Sequence, residues 1–183
     1  WLPAAMGKDG MDSDAIESAA DLPYDMDNVL VEWVYHVMPP GLVVGWWRGV
    51  GPTHNLFIVE SFVDHLALTA GKDPLAFRRA LMKPGSRPLG VLNLAAEKIG
   101  WGSQPLPARV GRGIAVASPF GSHVCAIVEV EVTAQGVVRL RRAVVAVDVG
   151  IAINPSSIQA QVQGGLLFGL SAAMFNGITL KDG

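Results

Sequence analysis

The pattern of apolar and polar positions divides the chain into a helical first half and a second half that begins with strands. In the second half, valine or alanine occupies every other position from 124 to 132, with Glu129 and Glu131 between them. A period of two predicts a long half-buried strand with both glutamates on one face. A short strand over residues 113–118 precedes it, and a turn at residues 134–136 leads to a further strand over residues 137–147. These segments predict an antiparallel meander.

After the strands, Asn154 and Pro155 begin a predicted helix that extends to about residue 175. Its apolar residues recur at every fourth position and predict a buried stripe, formed by Ile158, Val162, Leu166, Leu170 and Met174. Three glycines interrupt this helix, although each costs about 1 kcal/mol relative to alanine: Gly164, Gly165 and Gly169. Close packing of the helix on the sheet, which we expect first, and close approach of a cofactor both explain them. Residues 178–180 predict one more strand.

The chain begins with an acidic segment that is rich in small residues. It predicts loops with one short helix over residues 14–20. Residues 29–37 then alternate apolar side chains with Glu32 and His36, which favours a strand.

Three helices are predicted between the first strand and the meander. The first has apolar residues at helical spacing from 56 to 70, with Thr53 as its N-cap and Gly71 as its stop. Asp73 and Pro74 begin the second, over residues 75–82. The third covers residues 89–99 and ends at Gly100.

These elements predict the α+β fold class. An N-terminal region of loops, a strand and a small helical cluster, residues 1–104, is followed by an antiparallel β-meander packed by the long glycine-bearing helix, residues 105–183.

Composition narrows the functional classes. Half of the residues are hydrophobic, 16% are charged and the net charge is −2 without a basic run, so we predict no nucleic-acid partner. The longest apolar stretch, residues 143–153, contains Asp148 and is too short to span a bilayer, so no transmembrane segment is predicted. Cys125 is the only cysteine, and no Cys/His cluster has the spacing of a metal site. Any metal must therefore arrive inside an organic cofactor.

The stretch over residues 45–55 has the composition of a ligand-binding loop. Three glycines and a proline prevent regular structure within it, and Trp46, Trp47 and Arg48 give it aromatic and cationic surface. Glycine lets a ligand approach the backbone amides closely, and a guanidinium beside outward N–H groups suits an anionic or oxo-rich group. The helix that follows would direct its free N–H groups at the same place. The alternative is a surface loop whose tryptophans cover a core.

Other polar side chains have a functional and an ordinary interpretation. His54 could orient a ligand or cap a helix, and Glu60 could hold backbone amides behind the loop or be a solvated glutamate. Gln161 and Gln163 carry amide groups able to hydrogen-bond the edge of a heterocycle. Cys125 is expected to be a small core residue. The remaining histidines are expected to be structural or exposed: His36, His65 and His123. Spacing assembles no set of nucleophile, base and orienting group, so no catalytic residue is predicted.

Several short motifs together resemble the molybdenum-binding large subunit of the xanthine oxidase family, in particular its isoquinoline 1-oxidoreductase beta-subunit and aldehyde oxidoreductase type. They occur along nearly the whole chain: Tyr24-Asp25-Met26-Asp27-Asn28, Gly45-Trp46-Trp47-Arg48-Gly49-Val50-Gly51, Glu60-Ser61-Phe62-Val63-Asp64, Ala70-Gly71-Lys72-Asp73-Pro74, Gly111-Arg112-Gly113-Ile114-Ala115, Asp148-Val149-Gly150 with Asn154-Pro155, and Gln161-Val162-Gln163-Gly164-Gly165 with Phe168-Gly169-Leu170.

The resemblance implies that both regions of the chain belong to one molybdopterin-binding region of a longer subunit. It implies contacts to molybdenum–molybdopterin, in a dinucleotide form, from Trp47, Arg48, Gly49, Gly51 and Gln161. Val50 stands where relatives commonly carry a phenylalanine that stacks on substrate. The implied reaction is hydroxylation of an aldehyde or an electron-poor N-heterocycle with water-derived oxygen, with electrons leaving through iron–sulfur clusters on a separate small subunit.

Two motifs of this family have no counterpart in the chain. The family's catalytic glutamate lies in a Gly-x-Gly-Glu motif, which is missing here together with a Gly-Gln-Gly cofactor segment. With Trp1 in the first position, this predicts a fragment that binds no cofactor and is inactive alone. Its exposed apolar surface predicts self-association. The compartment, bacterial cytoplasm or periplasm, stays open. The alternative functions are a non-catalytic interaction or assembly module that keeps the scaffold, and a generic α+β ligand-binding domain.

Overall fold

The computed structural model describes residues 10–42, 45 and 47–181, and it has an α+β architecture of five helices and one three-stranded sheet within these ranges. The helices are α1 (Ser13–Ile16), α2 (Val50–Thr69), α3 (Pro74–Leu81), α4 (Arg87–Ile99) and α5 (Pro155–Phe175). The strands are β1 (Val110–Ala117), β2 (His123–Val132) and β3 (Val138–Asp148), with a 3-10 turn at Pro119–Gly121 between the first two. The predicted fold class is therefore confirmed.

The sheet is an antiparallel meander in the order β1-β2-β3. Ile114 of β1 lies opposite Ile127 of β2, which in turn lies opposite Val144 of β3, and a bulge shifts the second register after Glu129. Gly136 has a φ of 81° at the turn between β2 and β3, a conformation that glycine adopts without strain. The three strands predicted from the period of two are thus confirmed.

The hydrophobic core lies between α4 and one face of the sheet. Leu92 and Ala95 of α4 and Cys125 and Ile127 of β2 are fully buried, so the prediction of Cys125 as a small core residue is confirmed. Glu129 is on this same face, where its carboxylate accepts a hydrogen bond from Arg112 Nε at 2.9 Å. A charge on a buried face requires such a partner. The glutamate-bearing face of β2 is therefore the core face.

The capping residues place the predicted helices α3 and α4 almost where they are found. The Asp73 carboxylate accepts from the Ala76 amide at 2.8 Å, as expected of an N-cap, and Gly100 ends α4 with a φ of 73°. The prediction for the start of α2 was wrong, since Thr53 is not its N-cap. The helix begins at Val50 because Gly49 adopts a φ of 98°, and the Thr53 hydroxyl donates instead to the Arg48 carbonyl at 2.7 Å.

Two predicted strands are absent from the described residues. Residues 29–37 form no regular secondary structure, and Leu30 and Val34 are more than four-fifths exposed. Residues 178–180 are also irregular, with Ile178 almost fully exposed. An alternating pattern becomes a strand only when a neighbouring strand pairs with its backbone, and no described strand lies beside either segment. The short helix predicted over residues 14–20 is found as the single turn of α1.

Helix α5 stands away from the sheet. All of its residues are described, and none is buried; the predicted apolar stripe is half-buried at each of its five positions. Three residues of the stripe, Ile158, Val162 and Leu166, face β3 across an open groove of about 570 Å³. Residues that line the groove include Val145, Val147, Ile158, Val162 and Leu166. The prediction of a buried stripe was therefore right about the face and wrong about its burial.

Candidate functional site

The loop before α2 and the helix α5 meet through Arg48 and Gln161, which are 113 positions apart in the sequence. Arg48 Nη2 donates to the side-chain oxygen of Gln161 at 3.0 Å and to its main-chain oxygen at 3.2 Å. Two residues that sequence analysis selected independently are therefore neighbours in the fold.

The same guanidinium lies against the glycine pair of α5. A Cβ placed on Gly164 would be 3.6 Å from Arg48 Nη1, and one placed on Gly165 would be 3.6 Å from Nη2. No sheet atom of the described chain is that near to either glycine or to Gly169, so the expectation of close helix–sheet packing was wrong. The two glycines instead form a shallow notch that holds the guanidinium.

An aromatic pair borders this notch. The rings of Trp47 and Phe168 are 5.2 Å apart at an angle of 51°, and Arg48 Cζ lies 5.9 Å from the centroid of the Phe168 ring. A cation–π contact at such an exposed position contributes about 0.5–1 kcal/mol. Both rings remain more than one-third exposed, so they present apolar surface next to the guanidinium.

Phe168 belongs to the site, although sequence analysis did not select it as a site residue. Positions 161, 164, 165 and 168 follow the spacing i, i+3, i+4 and i+7, which defines one face of a helix. The amide, the notch and the aromatic ring therefore share one face of α5, and the helical spacing of the motif could have identified Phe168. Trp46, the other tryptophan of the loop, lies outside the described residues.

The backbone of the loop is fixed in an unusual conformation. Gly49 has a φ of 98°, and a Cβ there would be 2.3 Å from the Thr53 hydroxyl oxygen. Val50 has a φ of 51°, which a β-branched residue adopts only at a cost of about 1–3 kcal/mol. Its amide donates to the Trp47 carbonyl at 3.1 Å. The half-buried Val50 side chain is thus held at the first position of α2.

Gly51 has a structural task that its motif did not reveal. A Cβ on Gly51 would be 1.8 Å from the carbonyl oxygen of Asp14, so only glycine permits α1 to pack on the first turn of α2. Asn55 Nδ2 holds the same segment by donating to the carbonyls of Ala15 and Glu17, each at 2.8 Å. Gly51 is therefore required by the packing of α1 on α2.

The environment of Glu17, beside the start of α2, disfavours the charged form of its carboxylate. Partial burial and the neighbouring charges of Asp14 and Asp21 raise its pKa, and the Gly51 amide opposes the rise. Glu17 Oε2 is buried without a hydrogen-bond partner among the described residues.

Glu60 anchors α2 to the rest of the core. The residue is 4% exposed, and its carboxylate accepts from the Tyr24 hydroxyl at 2.6 Å, Arg78 Nε at 3.1 Å and the Val116 amide at 2.8 Å. Burial raises the pKa of Glu60, against these three donors, and burial likewise raises the pKa of Tyr24. Of the two interpretations of Glu60, the solvated glutamate was wrong; the carboxylate holds one backbone amide, which belongs to β1 and not to the loop.

Arg78 completes this polar cluster without contact with solvent. Its side chain is fully buried; it also forms an ion pair with Asp64 and donates to the Glu60 carbonyl at 3.1 Å. The cluster joins α2, α3 and β1, so it fixes the direction of the helix that carries the loop at its start.

The other polar candidates lie outside the contact between the loop and α5. Gln163 lines the groove beside β3. His54 and His36 are exposed, His65 stacks on Phe62, and His123 Nδ1 is 2.9 Å from the Ser118 hydroxyl. The expectation for His36, His65 and His123 is confirmed.

The described ranges offer neither a metal site nor a membrane span. They contain no group of three or more His, Cys, Asp or Glu side chains placed to hold a metal ion. No helix among them is long and apolar enough to cross a membrane.

Comparison with known proteins agrees with the resemblance that the motifs indicate. Residues 94–183 match the family model described as a molybdopterin cofactor-binding domain. The chain is 31% identical over 143 residues to the beta chain of isoquinoline 1-oxidoreductase from Brevundimonas diminuta, covering 76% of this chain and 18% of that protein. The chain belongs to the molybdenum-binding subunits of the xanthine oxidase family.

Two further relatives have similar coverage. A nicotinate dehydrogenase subunit of Pseudomonas putida is 28% identical over 178 residues, which are 87% of this chain and 15% of the relative. A membrane-bound aldehyde dehydrogenase of Gluconacetobacter polyoxogenes, whose name specifies pyrroloquinoline-quinone, is 30% identical over 159 residues, with coverage of 76% and 20%. The chain therefore spans between 15% and 20% of the length of these relatives. The matched family domain contains Gln161, the glycine pair and Phe168. The loop over residues 45–55 lies before this domain in the sequence.

Proposed function

We propose that this chain forms one wall of the molybdopterin pocket in the large subunit of a molybdenum hydroxylase. The observation that carries the proposal is the meeting of Arg48, from the loop, with Gln161 and the glycine pair of α5. Two segments far apart in sequence supply one surface, as a shared ligand requires.

The chemistry of this surface fits the cofactor. A guanidinium and a primary amide supply hydrogen-bond donors, which suit the oxygen- and nitrogen-rich edge of a pterin and its phosphate. The glycine pair carries no side chains that would obstruct a flat group beside the guanidinium, and Trp47 offers an exposed aromatic face. We assign the cofactor contacts to Trp47, Gly49, Gln161 and the main-chain amide of Arg48, while Gly51, where a Cβ would be 1.8 Å from the Asp14 carbonyl oxygen, shapes the loop.

The cofactor supplies redox chemistry that no side chain of the protein provides. The chain's own residues bind and orient it: Gln161 donates to an acceptor on its edge, and Trp47 with Phe168 limits the access of water to the notch. We assign the substrate contact to Val50, which begins α2 directly after the loop. Because the sequence has no Gly-x-Gly-Glu motif, the general base comes from elsewhere in the assembled enzyme, and the isolated chain does not turn over.

The substrate class is an aldehyde or an electron-poor N-heterocycle, hydroxylated with oxygen from water. The names of the relatives support this class, because they specify isoquinoline, nicotinate and aldehyde. Two of these names denote subunits, which supports an assembled enzyme. We infer that the partner is a small subunit with iron–sulfur clusters and that the cofactor carries a dinucleotide.

The test is a cofactor analysis of the full-length subunit, co-expressed with its small partner. We expect molybdenum and pterin in nearly equimolar amounts with the subunit, and a marked loss of both in Gln161→Ala. Gln159→Ala is the matched control, because Gln159 lies on the same helix but lines the groove beside β3, and its cofactor content should equal that of the wild type.

Each other outcome has a defined meaning. Bound pyrroloquinoline-quinone without pterin would overturn the proposal and assign the cofactor named for the Gluconacetobacter relative. A large subunit that assembles with its partner but holds neither cofactor would instead support the non-catalytic assembly module.

A further inference from the structure

We propose that Arg48 is a positioning residue that fixes the side-chain amide of Gln161 as a hydrogen-bond donor toward the ligand. This inference rests on the proposed function, because it concerns how the same pocket recognises its cofactor. The resemblance to the family implies a contact from the main-chain amides of the loop, Arg48 included; the geometry adds a role for the Arg48 guanidinium, which acts through Gln161.

The orientation of the amide follows from the chemistry of the two groups. A guanidinium carries donors only, whereas a primary amide has one acceptor oxygen and one donor nitrogen. Arg48 Nη2 lies 3.0 Å from the amide group of Gln161, so the oxygen must face it, because the opposite orientation would place two donors against each other. No described residue accepts a hydrogen bond from Gln161 Nε2, so both of its hydrogens are available to a ligand.

The guanidinium is itself held on three sides. The same Nη2 donates to the main-chain oxygen of Gln161, which ties it to the helix independently of the side chain. Gly164 and Gly165 let the planar group lie against α5 at ordinary contact distance, and the ring of Phe168 borders it one turn further on. Arg48 thus occupies the notch between Gln161 and Phe168, and its position determines that of the amide.

This arrangement determines the polarity of the site. The ligand atom that meets Gln161 must be an acceptor, such as a carbonyl oxygen, an oxo oxygen or an unprotonated ring nitrogen. A substitution of Gln161 by glutamate would keep the bond to Arg48 but remove the donor, so it separates the two roles.

The test is a double-mutant cycle on cofactor retention in the assembled enzyme, measured as molybdenum and pterin remaining after dialysis. We expect Arg48→Ala, Gln161→Ala and Gln161→Glu each to weaken retention about tenfold, the size expected for loss of one good hydrogen bond. If Arg48 acts through Gln161, Arg48→Ala has no further effect in the Gln161→Ala background. Arg48→Lys, which keeps a cationic donor group without the planar fork of the guanidinium, should show a smaller loss than Arg48→Ala.

A control for folding and a replacement variant make every result decisive. Thermal unfolding of each variant distinguishes loss of the site from loss of the fold, and Arg48→Lys replaces Arg48→Ala in the cycle if the latter does not fold. Losses that multiply to about a hundredfold in the double variant, or a Gln161→Glu variant with wild-type retention, would overturn the positioning role alone. A wild-type enzyme without molybdenum and pterin would overturn the proposed function instead.

A second readout does not depend on the cofactor. In ¹⁵N spectra of the 183-residue chain, the side-chain amide of Gln161 should have restricted motion in the wild type and free motion in Arg48→Ala, while the amide of Gln159 stays unchanged as an internal reference. An unchanged Gln161 signal in Arg48→Ala would contradict the inference.

Discussion

Two arginines that join distant segments of this chain lie in opposite environments. Arg78 is fully buried among α2, α3 and β1, where it pairs with Glu60 and Asp64. Arg48 lies at an exposed contact between the loop and α5. The region around Arg78 is therefore rigidly determined by the chain itself, whereas the region around Arg48 keeps polar and aromatic groups accessible. A binding surface needs this second property.

The largest expected effect is the loss of the buried arginine. Arg78→Ala leaves the Glu60 carboxylate without its cation in the core, so we expect the free energy of unfolding to fall by about 3–5 kcal/mol. Urea denaturation followed by circular dichroism measures this loss in the free energy of unfolding. Arg48→Ala is the matched comparison, with a loss of about 0–1 kcal/mol because exposed polar contacts contribute little. Equal losses for both variants would remove the distinction between the two regions.

Two leucines sharpen the comparison between α4 and α5. Leu92 of α4 is fully buried, whereas Leu167 of α5 is mostly exposed. Truncation of a buried leucine leaves a cavity, so Leu92→Ala should cost about 2–5 kcal/mol, and Leu167→Ala should stay within about 0.5 kcal/mol of the wild type. The same denaturation assay measures both. A large loss for Leu167→Ala would show that α5 is packed in solution.

One substitution should have opposite signs at two glycines. Gly51→Ala places a Cβ 1.8 Å from the Asp14 carbonyl oxygen, so we expect it to displace α1 and to destabilise the chain by about 1–3 kcal/mol. Gly164→Ala meets only the Arg48 guanidinium at 3.6 Å, so it should stabilise α5 by up to about 1 kcal/mol through helix propensity. Differences in the unfolding midpoint reveal the signs, and a gain in stability for Gly51→Ala would contradict the described packing of α1.

The smallest effect concerns pH at the exposed end of β3. Arg87 donates to the Asp148 carboxylate at 2.7 and 2.9 Å, and this hydrogen bonding holds the pKa of Asp148 well below its usual range. Because the folded-state pKa is depressed, the unfolded chain binds more protons in acid. The contribution to stability is therefore complete above about pH 4 and is lost as the pH falls further. In Asp148→Asn the melting temperature should fall less between about pH 4 and lower pH than in the wild type. An equal fall in both proteins would argue against the ion pair between Arg87 and Asp148.

The sequence predicts the three strands of the meander, the turn and two of the three longer helices closely, because these elements are specified by local periodicity and capping groups. Asp73 caps α3 and Gly100 ends α4 through local interactions that do not depend on the rest of the fold. The start of α2 was misplaced because the left-handed backbone at Gly49 and Val50 carries no unique sequence signature. Residues 29–37 alternate like a strand, but pairing depends on a neighbour that a period cannot specify.

The sequence identified most residues of the candidate site but could not predict the contacts between them. Composition selected Arg48 and Gln161, and motif likeness supported both, but the hydrogen bond between them depends on how α2 is directed by the buried cluster around Glu60. Gly51 shows the reverse case, because a residue selected for a ligand is required by the carbonyl oxygen of Asp14. Phe168 was missed because an aromatic residue in a helix is usually a core residue.

Hydrogen exchange of the full-length subunit, compared with and without its cofactor, tests the central claim most directly. We expect peptides covering residues 45–55 and 158–170 both to gain protection when the cofactor is bound, whereas β2 in the core stays unchanged. Protection of only one of these two segments, or of neither, would contradict the claim that the loop and α5 form a single cofactor site.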